Sequence, residues 1–284
     1  MLDKRLSGKE IKKEVKKYYS SLVTKSKMVS CCGSGEAESS SEDGLQGTMV
    51  MSSGYGTEEL QSLPSSAVTN SFGCGNPLAF AGVEEGQTVL DIGSGAGIDC
   101  FIAAQKVGIH GKVIGIDMTA EMIKKARENA NEGGFSQVEF RLGEAESMPV
   151  DSGTIDWVIS NCVINLSPDK PKTFEEISRV LKPEGRFSIS DIVLSDDLPD
   201  WIADNIYAWT GCVAGAIMET DYLQGLNEAG MKNVQVENRT IYDKATIKGF
   251  VGKYEFPMET ESVDKLLDQI VGKVWSAKIT GQKR

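Results

Sequence analysis

The chain of 284 residues is 40% apolar and 25% charged, which is enough to bury a large core, and its length fits one substantial domain with additions. Its formal net charge of −11 lacks the basic stripe that a nucleic-acid backbone requires, and no apolar run approaches the roughly 20 residues of a membrane helix. Lys and Glu crowd Met1–Lys17 where a secretory signal would be apolar, so the expectation is a cytoplasmic protein with neither a nucleic-acid nor a membrane partner. In such a reducing compartment six cysteines read as metal ligands or reactive thiols rather than as a disulfide framework.

Along the chain, Ile11, Val15, Tyr18, Tyr19, Leu22 and Val23 recur at helical spacing with lysines between them, which predicts an amphipathic helix from Lys9 to about Met28. Residues 30–56 turn to Ser, Gly and Glu and predict a flexible linker that carries Cys31 and Cys32. These two pieces make a first region, residues 1–60. Residues 61–243 form the main domain, in which short apolar runs alternate with helical patterns from Thr88 to Val193. That alternation predicts a parallel sheet covered on both faces. A helix inserted over about 198–218 would place Trp201, Asn205, Trp209 and Cys212 along one side, with a helix over Asp221–Ala229 and a strand over Asn233–Tyr242 behind it. For residues 244–284 the stripe Val263, Leu266, Leu267, Ile270, Val271, Val274 and Trp275 predicts a final helix packed on the body.

The glycine turn Val89-Leu-Asp-Ile-Gly-Ser-Gly-Ala-Gly97 comes at the end of the first predicted strand, where an open α/β sheet lets a ligand approach backbone closely. Asp117 ends the second strand about 20 residues on, where a carboxylate accepts hydrogen bonds from ribose hydroxyls. The dinucleotide pattern G-x-G-x-x-G does not fit: an acid, Asp91, leads Gly93, Gly95 and Gly97, and position 98 is not glycine. This arrangement resembles the class I S-adenosylmethionine-dependent methyltransferases. The resemblance spans about residues 75–240 and implies a Rossmann-like α/β fold with S-adenosylmethionine as cofactor. It assigns Asp91 to the methionine end and Asp117 with Met118 to the end of the second strand. Glu144 and Ala145, in Gly143-Glu-Ala-Glu146, become an adenine-contacting segment, and Asn161 closes the fourth strand.

Cys74 precedes the first strand, Cys162 comes just after the fourth and Cys212 lies in the inserted segment, so three thiols remote in sequence could meet at the cofactor edge of such a sheet. Soft thiolates choose thiophilic centres, and three of them complete the valence of arsenic(III) while leaving one lone pair free. Phe72-Gly-Cys-Gly75, Asp91 to Cys100, Gly115-Ile-Asp-Met-Thr119 and Ser160-Asn-Cys-Val-Ile-Asn-Leu-Ser-Pro-Asp-Lys170 resemble the arsenite methyltransferase family, with Phe72 where that family commonly has Tyr. The resemblance implies that Cys74, Cys162 and Cys212 bind arsenite or arsenic(III)–thiol conjugates. It also implies that Cys31 or Cys32 serves a thiol relay or a turnover disulfide, reduced by thioredoxin or a small thiol. Cys100 reads as core and His110 as surface. Two other readings stand beside this one: a methyltransferase for a small organic acceptor with incidental cysteines, and a non-catalytic protein whose cysteines close a zinc site.

Overall fold

The computed structural model describes residues 7–26, 55, 60, 62–69, 75–78, 81–198, 212–245, 247 and 267–284. The apolar runs become a seven-stranded sheet: β1 (Thr88–Ile92), β2 (Lys112–Asp117), β3 (Val138–Leu142), β4 (Ile155–Asn161), β5 (Leu181–Leu194), β6 (Met231–Ile241) and β7 (Val274–Lys283). The strand order is β3-β2-β1-β4-β5-β7-β6, with β7 antiparallel to both of its neighbours and the other pairings parallel. Helices fill the intervals: α1 (Gly8–Ser26), α2 (Ser65–Thr69), α3 (Ile98–Val107), α4 (Ala120–Gly133), α5 (Lys170–Val180) and α6 (Glu219–Glu228).

Period-two alternation in β1 sorts its side chains onto the two faces of the sheet. Leu90 and Ile92 point to the face covered by α5 and α6, where they join Phe174, Ile177, Tyr222 and Leu226. Val89 points to the opposite face with Phe101, Ile123 and Phe140 under α3 and α4. Both faces are therefore apolar, as a parallel sheet wrapped by helices demands. A third cluster forms at the carboxyl end of the sheet, where Ile11 and Val15 of α1 meet Cys162, Leu166, Cys212 and Val213. The chain turns back at β1, with β2 on one side and β4 on the other. That reversal opens a crevice beyond the strand ends.

Two expected helices are corrected over their described residues. The C-terminal helix is a strand from Val274 onward: Gly272 takes a φ of +79°, and β7 fills the gap between β5 and β6 over the register Arg186–Gln282 to Leu194–Val274. Backbone groups on both neighbouring strands need partners, and this requirement overrides the helical spacing of the side chains. Within the segment expected as an inserted helix, the described residues 212–217 form turns, because Cys212 adopts a φ of 63° that no right-handed helix accepts. Residues 199–211 and the expected linker apart from Tyr55 lie outside the described residues. Among the described residues no helix is long and apolar enough to cross a membrane.

Candidate active site

A cleft of about 960 Å³, counted to its open mouth, occupies the crevice at the carboxyl ends of β1, β2 and β4. Its floor is the glycine turn. Gly93 and Ser94 donate their N–H groups to Ile116 O at 2.7 and 2.9 Å, which clamps the turn onto the end of β2. Gly93 takes a φ of +75°, and a Cβ there would overlap both γ-methyls of Val163. The close approach of β1 to the residue after Cys162 therefore requires glycine. Asp117 holds the turn from the other side, accepting from Gly95 N at 3.1 Å and Thr119 N at 2.8 Å. Burial raises its carboxyl above the ordinary range, against the lowering effect of those two N–H groups. The Ser94 hydroxyl is buried in the cleft wall without a hydrogen-bond partner among the described residues.

Asn161 joins the cleft to the segments that precede the sheet. Its Nδ2 donates to Gly75 O (2.6 Å), Tyr55 Oη (2.9 Å) and Asp99 Oδ2 (3.2 Å), and its Oδ1 accepts from Gly75 N (3.1 Å). Tyr55 in turn donates to Asp99 Oδ1 at 2.8 Å. Asp99, in the first turn of α3, thus presents a fixed carboxylate to the cleft.

At the far wall stands Cys162, with Cys212 hydrogen-bonded to it. Cys162 lines the cleft and is engaged in a disulfide whose partner lies outside the described residues. Cys212 keeps a free thiol that donates to Cys162 O at 2.8 Å. Both are 5% exposed, and both adopt left-handed backbone, with φ of 58° and 63°. Strained φ values of this kind persist where the surroundings over-determine them, and they collect at functional sites. Burial pushes the Cys212 thiol well above its usual range and nearby Asp191 adds to this, while a hydrogen bond from Tyr19 and the charge of Lys170 act the other way. Behind the cysteines lies a buried ionic group. Burial presses Lys170 down to about 8 and raises Asp191 to about 7. Lys170 Nζ donates to Ser167 O at 3.1 Å, and Asp191 Oδ2 accepts from Tyr222 at 3.2 Å.

The model of the family described as "Methyltransferase domain" matches residues 83–230, just over half of the chain. A crystal structure of an arsenic(III) S-adenosylmethionine methyltransferase from Chlamydomonas reinhardtii superposes with a TM-score of 0.64 at 30% identity, covering 83% of this chain and 73% of that one. The chain belongs to the arsenite methyltransferase family. The arsenite methyltransferase of Halobacterium salinarum is 43% identical over 232 residues, 80% of this chain and 59% of that protein. The human arsenite methyltransferase is 37% identical over 172 residues, 56% of this chain and 44% of that protein. The chain therefore spans about half of the curated relatives it matches.

In this member of the family, Gly93, Gly95, Asp117, Met118, Ala145, Asn161 and Cys162 line the cleft as the sequence led one to expect. Four expected residues among those described do not: Cys212 is held off the lining at Cys162 O, and the other three turn elsewhere. Asp91 is 2% exposed and, by strand alternation, points under α3, where it accepts the Cys100 thiol at 3.3 Å. Burial and the neighbouring Asp99 push its carboxyl well up. Gly97 lies beneath the rings of Phe101 and Phe140. Glu144 turns away to Lys12 Nζ at 2.8 Å and leaves the wall to Ala145 and Glu146. Cys100 is buried core and His110 is exposed, both as expected. Cys31, Cys32 and Cys74 lie outside the described residues. Sequence reasoning missed Ser94, Asp99, Lys12, Tyr19 and Tyr55. Ser94, within the glycine turn, and Asp99, an acid on the helix that springs from it, carried usable signals; Lys12 and Tyr19 are brought in by α1 and Tyr55 from ahead of the sheet.

Proposed function

We propose that the chain methylates trivalent arsenic held by cysteine thiolates, with S-adenosylmethionine as methyl donor. The observation that carries this reading is Cys162 in the wall of the cleft that begins with the glycine turn, with the free thiol of Cys212 donating to its carbonyl oxygen. The cleft suits the cofactor: an orphaned hydroxyl at Ser94, open space over Gly95, and a carboxylate at Asp117 fixed by two backbone N–H groups are donors and acceptors awaiting a polar ligand. Gly93, Ser94, Gly95, Asp117, Met118, Ala145 and Asn161 would hold it. Bound there, S-adenosylmethionine supplies an electrophilic methyl group on a sulfonium.

On the protein side, Cys162 and Cys212, with Cys74, hold the arsenic(III) substrate and leave its one lone pair unshared. That lone pair has no proton to lose, so the residues that matter position and exclude water rather than act as a general base. The disulfide at Cys162 must first be opened. Two equivalents of an external thiol give two cysteine thiols and one external disulfide, which assigns a partner role to thioredoxin or a small thiol.

The test is transfer of labelled methyl by the reduced protein with and without arsenite, alongside a Cys162→Ser variant. The expected result is arsenite-dependent label transfer, lost in the variant while S-adenosylhomocysteine binding persists. Full activity of Cys162→Ser would overturn the ligand assignment, and cofactor binding without arsenite-dependent transfer would leave a methyltransferase for a different acceptor.

A further inference from the structure

The Ser-, Gly- and Glu-rich stretch 30–56 holds a single aromatic residue, Tyr55. It is 5% exposed and belongs to the core cluster of Leu78, Ile98 and Ile159. Tyr55 stands behind the cleft wall, and its hydroxyl bonds two residues that line it, Asp99 and Asn161. The hydroxyl donates to Asp99 Oδ1 at 2.8 Å and accepts from Asn161 Nδ2 at 2.9 Å, while the same Nδ2 donates to Asp99 Oδ2 at 3.2 Å. Each oxygen of the Asp99 carboxyl group therefore has its own donor, and the three side chains close a ring of hydrogen bonds. Burial and the adjacent Asp99 push the Tyr55 phenol well up, so it keeps its proton and remains a donor.

We infer that Tyr55 is a positioning residue for the cofactor, whose hydroxyl, together with Asn161, aims the Asp99 carboxylate at the α-ammonium of bound S-adenosylmethionine. The inference rests on the proposed seat of the cofactor, with its ribose at Asp117. The cleft crosses the strand ends in the order β3, β2, β1, β4, lined by Ala145 after β3, Asp117 at the end of β2, the glycine turn after β1 and Asn161 at the end of β4. S-adenosylmethionine is a base, a ribose, a sulfonium and an amino acid in line. With the ribose at Asp117 and the base toward Ala145, the amino-acid end reaches Asn161 and Asp99. Asp91, the acid that leads the glycine motif, is turned under α3 to the Cys100 thiol, which leaves Asp99 as the carboxylate lining this half of the cleft. A lone carboxylate in the first turn of a helix swings between rotamers, and a cation that binds it must first order it. Two donors on its two oxygens set the plane of the group beforehand, and the cofactor is spared that cost.

Two ligands separate positioning from folding: S-adenosylhomocysteine carries the α-ammonium, whereas 5′-methylthioadenosine has the same base, ribose and thioether sulfur without the amino acid. Tyr55→Phe in the full, thiol-reduced chain keeps the ring and deletes the hydroxyl. By titration calorimetry its affinity for S-adenosylhomocysteine should fall about tenfold, the loss expected for one hydrogen bond to a charged group, with methylthioadenosine affinity as in wild type. Asp99→Asn keeps an acceptor for Tyr55, and so reads the carboxylate even if Tyr55→Phe disturbs the fold. It should lose S-adenosylhomocysteine affinity at least as far and again spare methylthioadenosine, and adding Tyr55→Phe to it should cost little more. Parallel losses for both ligands in Tyr55→Phe, or no loss at all, would overturn the inference. So would wild-type or tighter S-adenosylhomocysteine binding in Asp99→Asn, the result for a side chain that faces the ligand's carboxylate. Asp117→Ala is measured alongside and should weaken both ligands. If it weakens neither, the proposed seat of the cofactor falls and the inference with it; if it weakens both while Tyr55→Phe weakens neither, only the role of Tyr55 falls.

Discussion

Alanine at Gly93 and alanine at Gly95 should have opposite consequences, although the two residues are neighbours in one turn with φ of +75° and +51°. Left-handed backbone costs a residue with a Cβ about 1–2 kcal/mol at either place, partly offset by about 0.4–1 kcal/mol from a less flexible unfolded chain. At Gly95 the new Cβ meets nothing within 4 Å among the described residues, so the net loss stays at or below about 1.6 kcal/mol. At Gly93 it would overlap both γ-methyls of Val163 and lie 2.8 Å from its Cβ, in a turn clamped to Ile116 O by two hydrogen bonds. Such overpacking adds about 1–3 kcal/mol, which puts Gly93→Ala about 2 kcal/mol below Gly95→Ala and its Tm lower by about 5 °C for a chain of this size. Thermal unfolding monitored by circular dichroism reads this directly. Adding Val163→Ala to Gly93→Ala should recover at least about 1 kcal/mol beyond additivity, since the two side chains compete for one space. Gly95→Ala should lose only a few degrees of Tm and should lose affinity for S-adenosylhomocysteine, because its Cβ projects into the cleft. Equal Tm values for the two alanine variants, or an additive double mutant, would refute the argument from close approach.

Asp117→Ala removes the acceptor of two backbone N–H groups and the carboxylate offered to the cofactor. Hydrogen bonds to a charged group are worth about 1.5–3 kcal/mol, so S-adenosylhomocysteine affinity should fall about ten- to hundredfold by calorimetry, with arsenite affinity of the reduced protein kept. Asp191→Asn should change how stability depends on pH. Burial raises the folded carboxyl to about 7, above its unfolded value near 4, so its contribution is fully present below about pH 4 and is lost as pH rises through about 7. Urea midpoints of wild type relative to the asparagine variant should therefore fall between about pH 5 and 7.5. Lys170, Tyr222, Cys212 and Tyr242 are the titratable groups around Asp191, and parallel curves would mean that they and not the carboxylate set the slope. Arg179→Ala should cost about 1–2 kcal/mol in thermal unfolding, because its half-exposed guanidinium binds Glu176 at 2.6 and 2.8 Å and the carbonyls of Val150 and Met148 at 2.8 and 3.1 Å. An unchanged Tm would show that the 148–150 segment is held by its own packing.

The sheet was legible because each of its parallel strands is a short apolar run that ends at a turn residue; β2 and β3 coincide with the expected strands to the residue, as does β1. The same logic failed at β7. Val274, Trp275 and Ile279 belong equally to a helical stripe and to a β-branched strand, and periodicity holds no information about the vacant lane between β5 and β6. Only the tertiary pairing decides that case. From Cys212 onward the expected helix does not continue for a local reason, the left-handed cysteine itself, which sequence patterns treat as any other residue.

At the site, the acid that leads the glycine motif shows where motif reading stops. Val89 and Asp91 are two residues apart on β1, so they face the same side of the sheet, and the register that carries Val89 into the core beneath α3 takes Asp91 with it. The chain leaves strand geometry only at the turn. From there Ser94, Gly95 and Ala96 face the cleft, and the next acid to reach it is Asp99, delivered by the first turn of α3. A buried carboxyl donated to by a thiol, 2% exposed, is suited to holding β1 against α3, whereas Asp99, fixed by Tyr55 and Asn161, stands in the lining of the cleft. The acid that lines the cleft is separated from the motif acid by the same alternation that builds the core.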